Sequence, residues 1–221
     1  MLGFKILTVF LLSALGGQSV AETVDRQWVG QFSSGRLEQW EPQVFSGETR
    51  YQLQSEQTGS DLSVLHALSH ASASGLVKHQ QVNLTETPIL HWRWKVARGV
   101  NATNERRKNN DDYAARVYII VKGGFFPWKT MALNYVWANG VKKGDMWNNA
   151  FAPGQSKMLA LRSAEAELGQ WYEESRNVQR DFQALFGESV THIDVIAIMT
   201  DTDNTGTRAE TYYGDIFFSN R

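Results

Sequence analysis

Apolar and polar residues alternate along most of this chain, with the two-residue period of half-buried β-strands. In LHWRWKV (90–96), Leu90, Trp92, Trp94 and Val96 share one face, and His91, Arg93 and Lys95 share the other. In YAARVYIIV (113–121), Tyr113, Ala115, Val117, Ile119 and Val121 face one way, and Arg116, Tyr118 and Ile120 the other. MALNYVWAN (131–139) sets Leu133, Tyr135 and Trp137 on one side. The segments 157–163, 192–200 and 210–219 continue the series, and 50–56, 63–69 and 76–84 precede it, all separated by turn-rich stretches. One segment breaks the pattern. SRNVQRDFQALFG (175–187) spaces Val178, Phe182, Leu185 and Phe186 as a helix does, with Ser175 as a cap and Gly187 as its end, so a helix is predicted over about 177–186. Many short strands and one helix predict a mainly β fold: an antiparallel β-sandwich or jelly roll with the helix packed on it. The alternation argues against a parallel sheet covered on both sides.

The N-terminus adds a compartment. Lys5, the apolar run Ile6 to Leu15 and the small-x-small triplet Ser19-Val20-Ala21 form a secretory signal, with cleavage expected before Glu22. The apolar run is shorter than the roughly 20 residues that span a bilayer. Residues 1–21 therefore read as a cleaved signal peptide and 22–221 as a single β-sandwich domain. The whole chain carries a net charge of −1, and loss of Lys5 makes that −2, which gives no footprint for nucleic acid. There is no cysteine, so disulfides, thiolate metal sites and a cysteine nucleophile are excluded. An exported chain without disulfides points to a bacterial periplasm or exterior. No later stretch is long enough to span a membrane, and the oligomeric state is not legible.

Six stretches taken together carry a resemblance. They are SASGL (72–76), PILHWRWKV (88–96), DDYAARVYI (111–119), YVWAN (135–139), GQWYEESRNVQRDFQALFGE (169–188) and IAIMTDTDNTGTRAETYYGDIFFS (196–219). In this order they resemble the bacterial family called domain of unknown function 3047, from about Trp40 to Ser219. The resemblance implies a secreted, mostly β protein and supplies no activity. The terminal YYGDIFF is also similar, more loosely, to the last hairpin of galactose-binding-like jelly rolls, a fold common among carbohydrate-binding modules.

Candidate chemistry centres on MTDTDNTG (199–206). Asp201, Asp203, Thr205 and Gly206 fall at positions 1, 3, 5 and 6 of an EF-hand loop, but position 12 is Tyr212 instead of glutamate. The plain reading is a hairpin turn, because Asn204 and Gly206 take positive φ readily. The second is a structural calcium site on Asp201, Asp203 and Asp215, and the third a loop that contacts ligand through Asp201, Asp203 and Asn204. Asp111 and Asp112 open a strand and can join Asp201 and Asp203 in an acid–base cluster, with Arg116 fixing charge. Arg116 itself sits among apolar neighbours, so it either pairs with an aspartate or reads a ligand on an open face. Arg93 and His91 raise the same choice. Arg176 and Arg180, one turn apart, are either a solvated helix face or an anion clamp.

The eight tryptophans need places. Trp92, Trp94 and Trp137 belong to the core by their alternation. Trp128, with Phe125 and Phe126 in GGFFPW, lies in a predicted loop where flat rings stack on a sugar, mark a partner site or fold back as a lid. Trp147 and Trp171 pose the same question. HExxH, HxH, GxSxG and P-loop signatures are missing. The expectation is a non-catalytic module that binds a carbohydrate or a cell-envelope ligand, without a cofactor. A glycan-acting hydrolase or lyase using Asp112, Asp201, Asp203 and Arg116 stays open, as does a structural, partner-binding envelope protein.

Overall fold

Leu90, Trp92, Trp94 and Val96 are all buried, while His91, Arg93 and Lys95 between them remain partly exposed, as the alternation requires. The structure is a computed structural model that describes residues 25–56 and 61–221. The expected signal peptide over 1–21 and its cleavage point lie outside the described residues. The strands are β1 (Arg26–Gly30), β2 (Glu41–Ser46), β3 (Arg50–Ser55), β4 (Ser63–His70), β5 (Ala73–Asn83), β6 (Ile89–Arg98) and β7 (Ala115–Val121). They continue as β8 (Met131–Trp137), β9 (Met146–Asn148), β10 (Ser156–Arg162), β11 (Tyr172–Asn177), β12 (His192–Asp201) and β13 (Arg208–Ser219). A helix, α1 (Val178–Phe186), lies between β11 and β12. Among the described residues no helix is long and apolar enough to cross a membrane.

The strands form two sheets stacked as a sandwich. The smaller runs β11-β6-β13-β4-β3, with β1 paired to the C-terminal end of β13. The larger runs β2-β5-β12-β7-β8-β10-β9. Aromatic side chains join them: Trp92 of the smaller sheet meets Tyr135 of the larger at 5.2 Å between ring centres, and Trp94 meets Trp137 edge-on at 6.2 Å. Rings of this size dominate the area a core removes from water, and offset or edge-on contacts suit their charge distribution. The predicted core tryptophans are therefore the seam of the sandwich.

Three expectations are corrected. First, β8 and β10 pair in parallel and are covered on both faces. One face meets the inter-sheet core, and the other meets a second cluster of Tyr113, Val136, Ala138, Trp147, Met158 and Ala160. Second, Tyr113 does not share a face with Ala115. The strand begins two residues later, and the preceding segment turns Tyr113 under the outer face, where its hydroxyl bonds Asp111 at 3.0 Å. Third, the helix cap is Asn177, whose side chain accepts from the Arg180 amide at 3.0 Å. Ser175 and Arg176 belong to β11. Gly187 ends the helix at φ 73°, as expected.

Candidate functional site

Two strands of the larger sheet bring the acidic segments together. On β12, Ile196, Ile198 and Thr200 point into the sandwich, so Ala197, Met199 and Asp201 point out of it. On β7 the same alternation turns Arg116 and Tyr118 outward between Ala115, Val117 and Ile119. Met199 is the register partner of Arg116, which sets Asp201 diagonally beside the guanidinium.

Arg116 is buried, and each of its three guanidinium nitrogens is bonded. Its Nε donates to Asp201 Oδ1 at 2.8 Å, and a second nitrogen donates to Asp201 Oδ2 and to the Asp111 carbonyl. Its third nitrogen donates to the Tyr118 hydroxyl at 3.0 Å, and the Tyr113 ring lies 4.0 Å from the guanidinium carbon. This is a two-pronged, buried Arg–carboxylate pair in which all three guanidinium nitrogens donate.

The neighbouring acids are equally committed. Asp111 accepts from the Tyr113 hydroxyl and from Asn149 Nδ2 at 3.1 Å. Asp112 accepts from the Asn204 amide and side chain at 3.1 and 3.2 Å, and from the Thr205 amide and hydroxyl, each at 2.6 Å. Its carboxylate thus fastens the turn between β12 and β13, where Gly206 takes φ 65°. Asp203 is half-buried, and Asn204 Nδ2 donates to it at 3.0 Å.

Burial sets the electrostatics. It drives Asp201 up to about 8; Arg116 opposes the rise, and Asp112 adds to it. Asp111 is raised by burial against the pull of Arg116, and Asp203 is raised by burial and then by Asp112. Burial disfavours charge on Arg116, but Asp201, Tyr118 and Asp111 outweigh it and hold the guanidinium protonated. Carboxylate oxygens of Asp112, Asp201 and Asp203 lie within 4.8 Å of one another, close enough for one cation. The protein's own donors already occupy most of their lone pairs.

A cavity of about 370 Å³ opens over this cluster. Tyr118, Asn149, Asp203 and Asn204 line its polar side. Phe45 of β2 and Phe151 of the β9–β10 loop line its mouth, 68% and 55% exposed. A polar floor with exposed rings at the rim is the usual make-up of a small-ligand site.

The structure therefore brings together Asp111, Asp112, Arg116, Asp201, Asp203 and Asn204. The other residues singled out in sequence lie elsewhere. Asp215 sits on the smaller sheet, accepting from the Ser33 amide at 2.7 Å beside His91, Arg93 and Phe217, so it cannot complete a shell with Asp201 and Asp203. Arg93 makes a two-pronged pair with Glu56 at 2.9 and 2.7 Å and lies over the Trp171 ring at 4.3 Å. Arg176 pairs with Asp181, which also accepts from the Tyr135 hydroxyl at 2.7 Å, so it forms a structural tie where an anion clamp was an alternative. Trp147 is buried against Tyr113. Trp128 lies in the β7–β8 turn, at the opposite end of β7 from Arg116.

Sequence reading missed Phe45, Tyr118, Asn149 and Phe151 as lining residues. Phe151 had a signal: it stands in NNAFAPG, an aromatic among turn formers, the same signature that marked Trp128. Phe45 had none, because β2 (EPQVFS) is exposed along its length and shows no alternation.

The chain belongs to the family described as protein of unknown function (DUF3047), whose model matches residues 38–217. No curated protein matches it in sequence. Among solved structures it is similar to a family 30 carbohydrate-binding module of a cellulosomal cellulase from Clostridium thermocellum, at 10% identity over 81% of this chain and 90% of that one, TM-score 0.45. It is also similar to a β-1,2-glucanase from Parabacteroides distasonis, at 10% identity over 86% of this chain and 24% of that one, TM-score 0.46. A third is the glycoside hydrolase domain of Endo-D from Streptococcus pneumoniae, at 10% identity over 82% and 22%, TM-score 0.42. The chain spans less than a quarter of the length of the last two.

Proposed function

We propose that this chain is a non-catalytic module that binds a glycan of the cell envelope or its surroundings in the cavity over Arg116 and Asp201. The observation that carries the reading is the pairing of two exposed rings, Phe45 and Phe151, with a polar side made of Tyr118, Asn149, Asp203 and Asn204. Sugars present flat C–H faces and a rim of hydroxyls; rings stack on the first, and amide or carboxylate groups bond the second. The buried Arg116–Asp201 pair keeps this side rigid, which lowers the ordering cost of binding.

A hydrolase fits less well. Glycoside cleavage needs two carboxyl groups free to flank one bond. Asp112 is spent on holding a turn; of the acids that line the cavity, Asp201 is held by Arg116 and Asp111 by Tyr113 and Asn149, which leaves Asp203 with the fewest protein donors.

A glycan array, followed by pull-down on insoluble polysaccharides, tests the reading. At least one glycan is expected to be retained, and Phe45→Ala with Phe151→Ala is expected to weaken binding at least tenfold. Retention of none, or retention indifferent to both changes, overturns it. The leader supports export to the periplasm or exterior; cell fractionation should find a mature chain that begins at Glu22, and a cytoplasmic chain with the leader intact would refute export.

A further inference from the structure

The turn between β7 and β8 is built as a finger. Gly123 and Gly124 start it, Phe125 is 98% exposed at its tip, Phe126 and Trp128 follow, and Lys122 and Lys129 stand on either side. The finger is rigid. The amides of Phe126, Lys129 and Thr130 bond back to the carbonyls of Gly123, Phe126 and Pro127 at 3.0, 2.8 and 3.1 Å. Gly123 donates to Thr130 Oγ1, and Gln155 reaches across to the Pro127 carbonyl at 2.9 Å. Gly124 takes φ 59°, and a side-chain carbon on Gly123 would run into the Phe126 carbonyl. The rings are thus held outward by a constrained backbone, against the ordinary tendency of aromatic side chains to leave water.

We infer that this finger inserts into the interface of a bilayer that contains anionic lipid. The rings project from a convex tip. A fluid interface yields to such a wedge, whereas a folded partner would have to offer a matching hole. Tryptophan and phenylalanine settle at the boundary between headgroups and acyl chains, where lysines beside them reach phosphate. The charge pattern fits: residues 115–144 contain no aspartate or glutamate, and neither Lys122 nor Lys129 forms an ion pair among the described residues. The nearest acid, Asp194, is tied to the Lys122 amide at 2.8 Å, to Gln81 and to His192. Three amides of the turn are bonded to its own carbonyls, and insertion at headgroup depth leaves its other backbone groups within reach of water and headgroups. The finger is independent of the glycan cavity, which lies at the other end of β7.

Vesicles of phosphatidylglycerol and phosphatidylcholine, with a parallel set whose acyl chains carry bromine, test the inference on the full chain. Wild type and variants share one N-terminus, so their differences report the finger. Brominated lipid is expected to quench the Trp128 emission, and Trp128→Phe is expected to remove most of that quenching. Phe125→Ser with Trp128→Ser is expected to lower partitioning at least tenfold with an unchanged melting curve. Lys122→Glu with Lys129→Glu should abolish the preference for anionic vesicles, at about fivefold per lysine. Absence of quenching, equal partitioning of finger variants and wild type, or a finger that alters only self-association in sedimentation overturns it.

Discussion

The two ends of β7 invert each other. At its start, Arg116, Asp111, Asp112 and Asp201 are all buried, and each is paired. At its far end, Phe125 and Trp128 are exposed, and two lysines stand in solvent beside them. Residue type alone would have placed the groups the other way round. Partners decide the first case: a buried charge persists only where opposite charge and donors replace water. Backbone decides the second, because a turn locked by Gly123, Gly124 and Pro127 leaves the rings no route back to the core.

The largest way to break this contrast is to orphan the buried charge. Above about pH 8, where Asp201 is ionised, Arg116→Met leaves Asp201 and Asp111 without a guanidinium, and removing one partner of a buried pair costs about 3–5 kcal/mol. Urea denaturation should show that loss. Arg116→Met combined with Asp201→Leu should lose less, since only Asp111 then lacks the guanidinium and it keeps its bonds from Tyr113 and Asn149. A double-mutant cycle separates the pair from the packing.

Next in size is pH. Asp111, Asp201 and Asp203 all hold their protons more tightly in the fold than an unfolded chain does, mainly through burial. The folded state therefore binds more protons than the unfolded one above the usual carboxylate range of about 4, up to about 8 for Asp201. Their contribution is most favourable on the acid side and is lost as pH rises through that window. Melting temperatures measured from pH 5 to pH 8 should fall, and Asp201→Asn should flatten the slope. The finger stands outside this linkage. Phe125→Ser with Trp128→Ser should leave the slope as it is and change stability by no more than about 0.5 kcal/mol, as surface changes do.

Much of the sandwich was written in the alternation. Where one face meets the core and the other meets water, as in β6, the period of two is plain. It fails where that asymmetry fails. β2 and β11 are exposed or half-exposed edge strands, with Pro42 in the first, and no buried face marks them. β10 is covered on both sides, so its parallel partner was not expected. Of the site, the aspartates and Arg116 were legible because a charge amid apolar neighbours needs a partner. Their assembly was not, because strand register decides which acid meets which base, and Asp215 lies on the other sheet. Phe45 of β2 and Phe151 of the β9–β10 loop both line the cavity from segments far apart in the sequence, a proximity that no local pattern encodes.

The smallest effect is expected from calcium, and it sharpens what closes the charged end. A hard cation wants six to eight oxygens with lone pairs to spare. Asp112 gives its lone pairs to four N–H and O–H donors, and Asp201 gives its own to Arg116 and the Tyr113 amide. An ion among Asp112, Asp201 and Asp203 would have to displace the guanidinium or unfasten the turn that Asp112 holds. The melting temperature should therefore be the same with chelator as with millimolar calcium. An ion bound by the folded state alone, at 100 times its dissociation constant, would add about 2.7 kcal/mol and shift the melt by several degrees. Such a shift, abolished by Asp203→Ala, would mean that this end of β7 is closed by an ion; the Arg116–Asp201 pair would then describe the ion-free protein only.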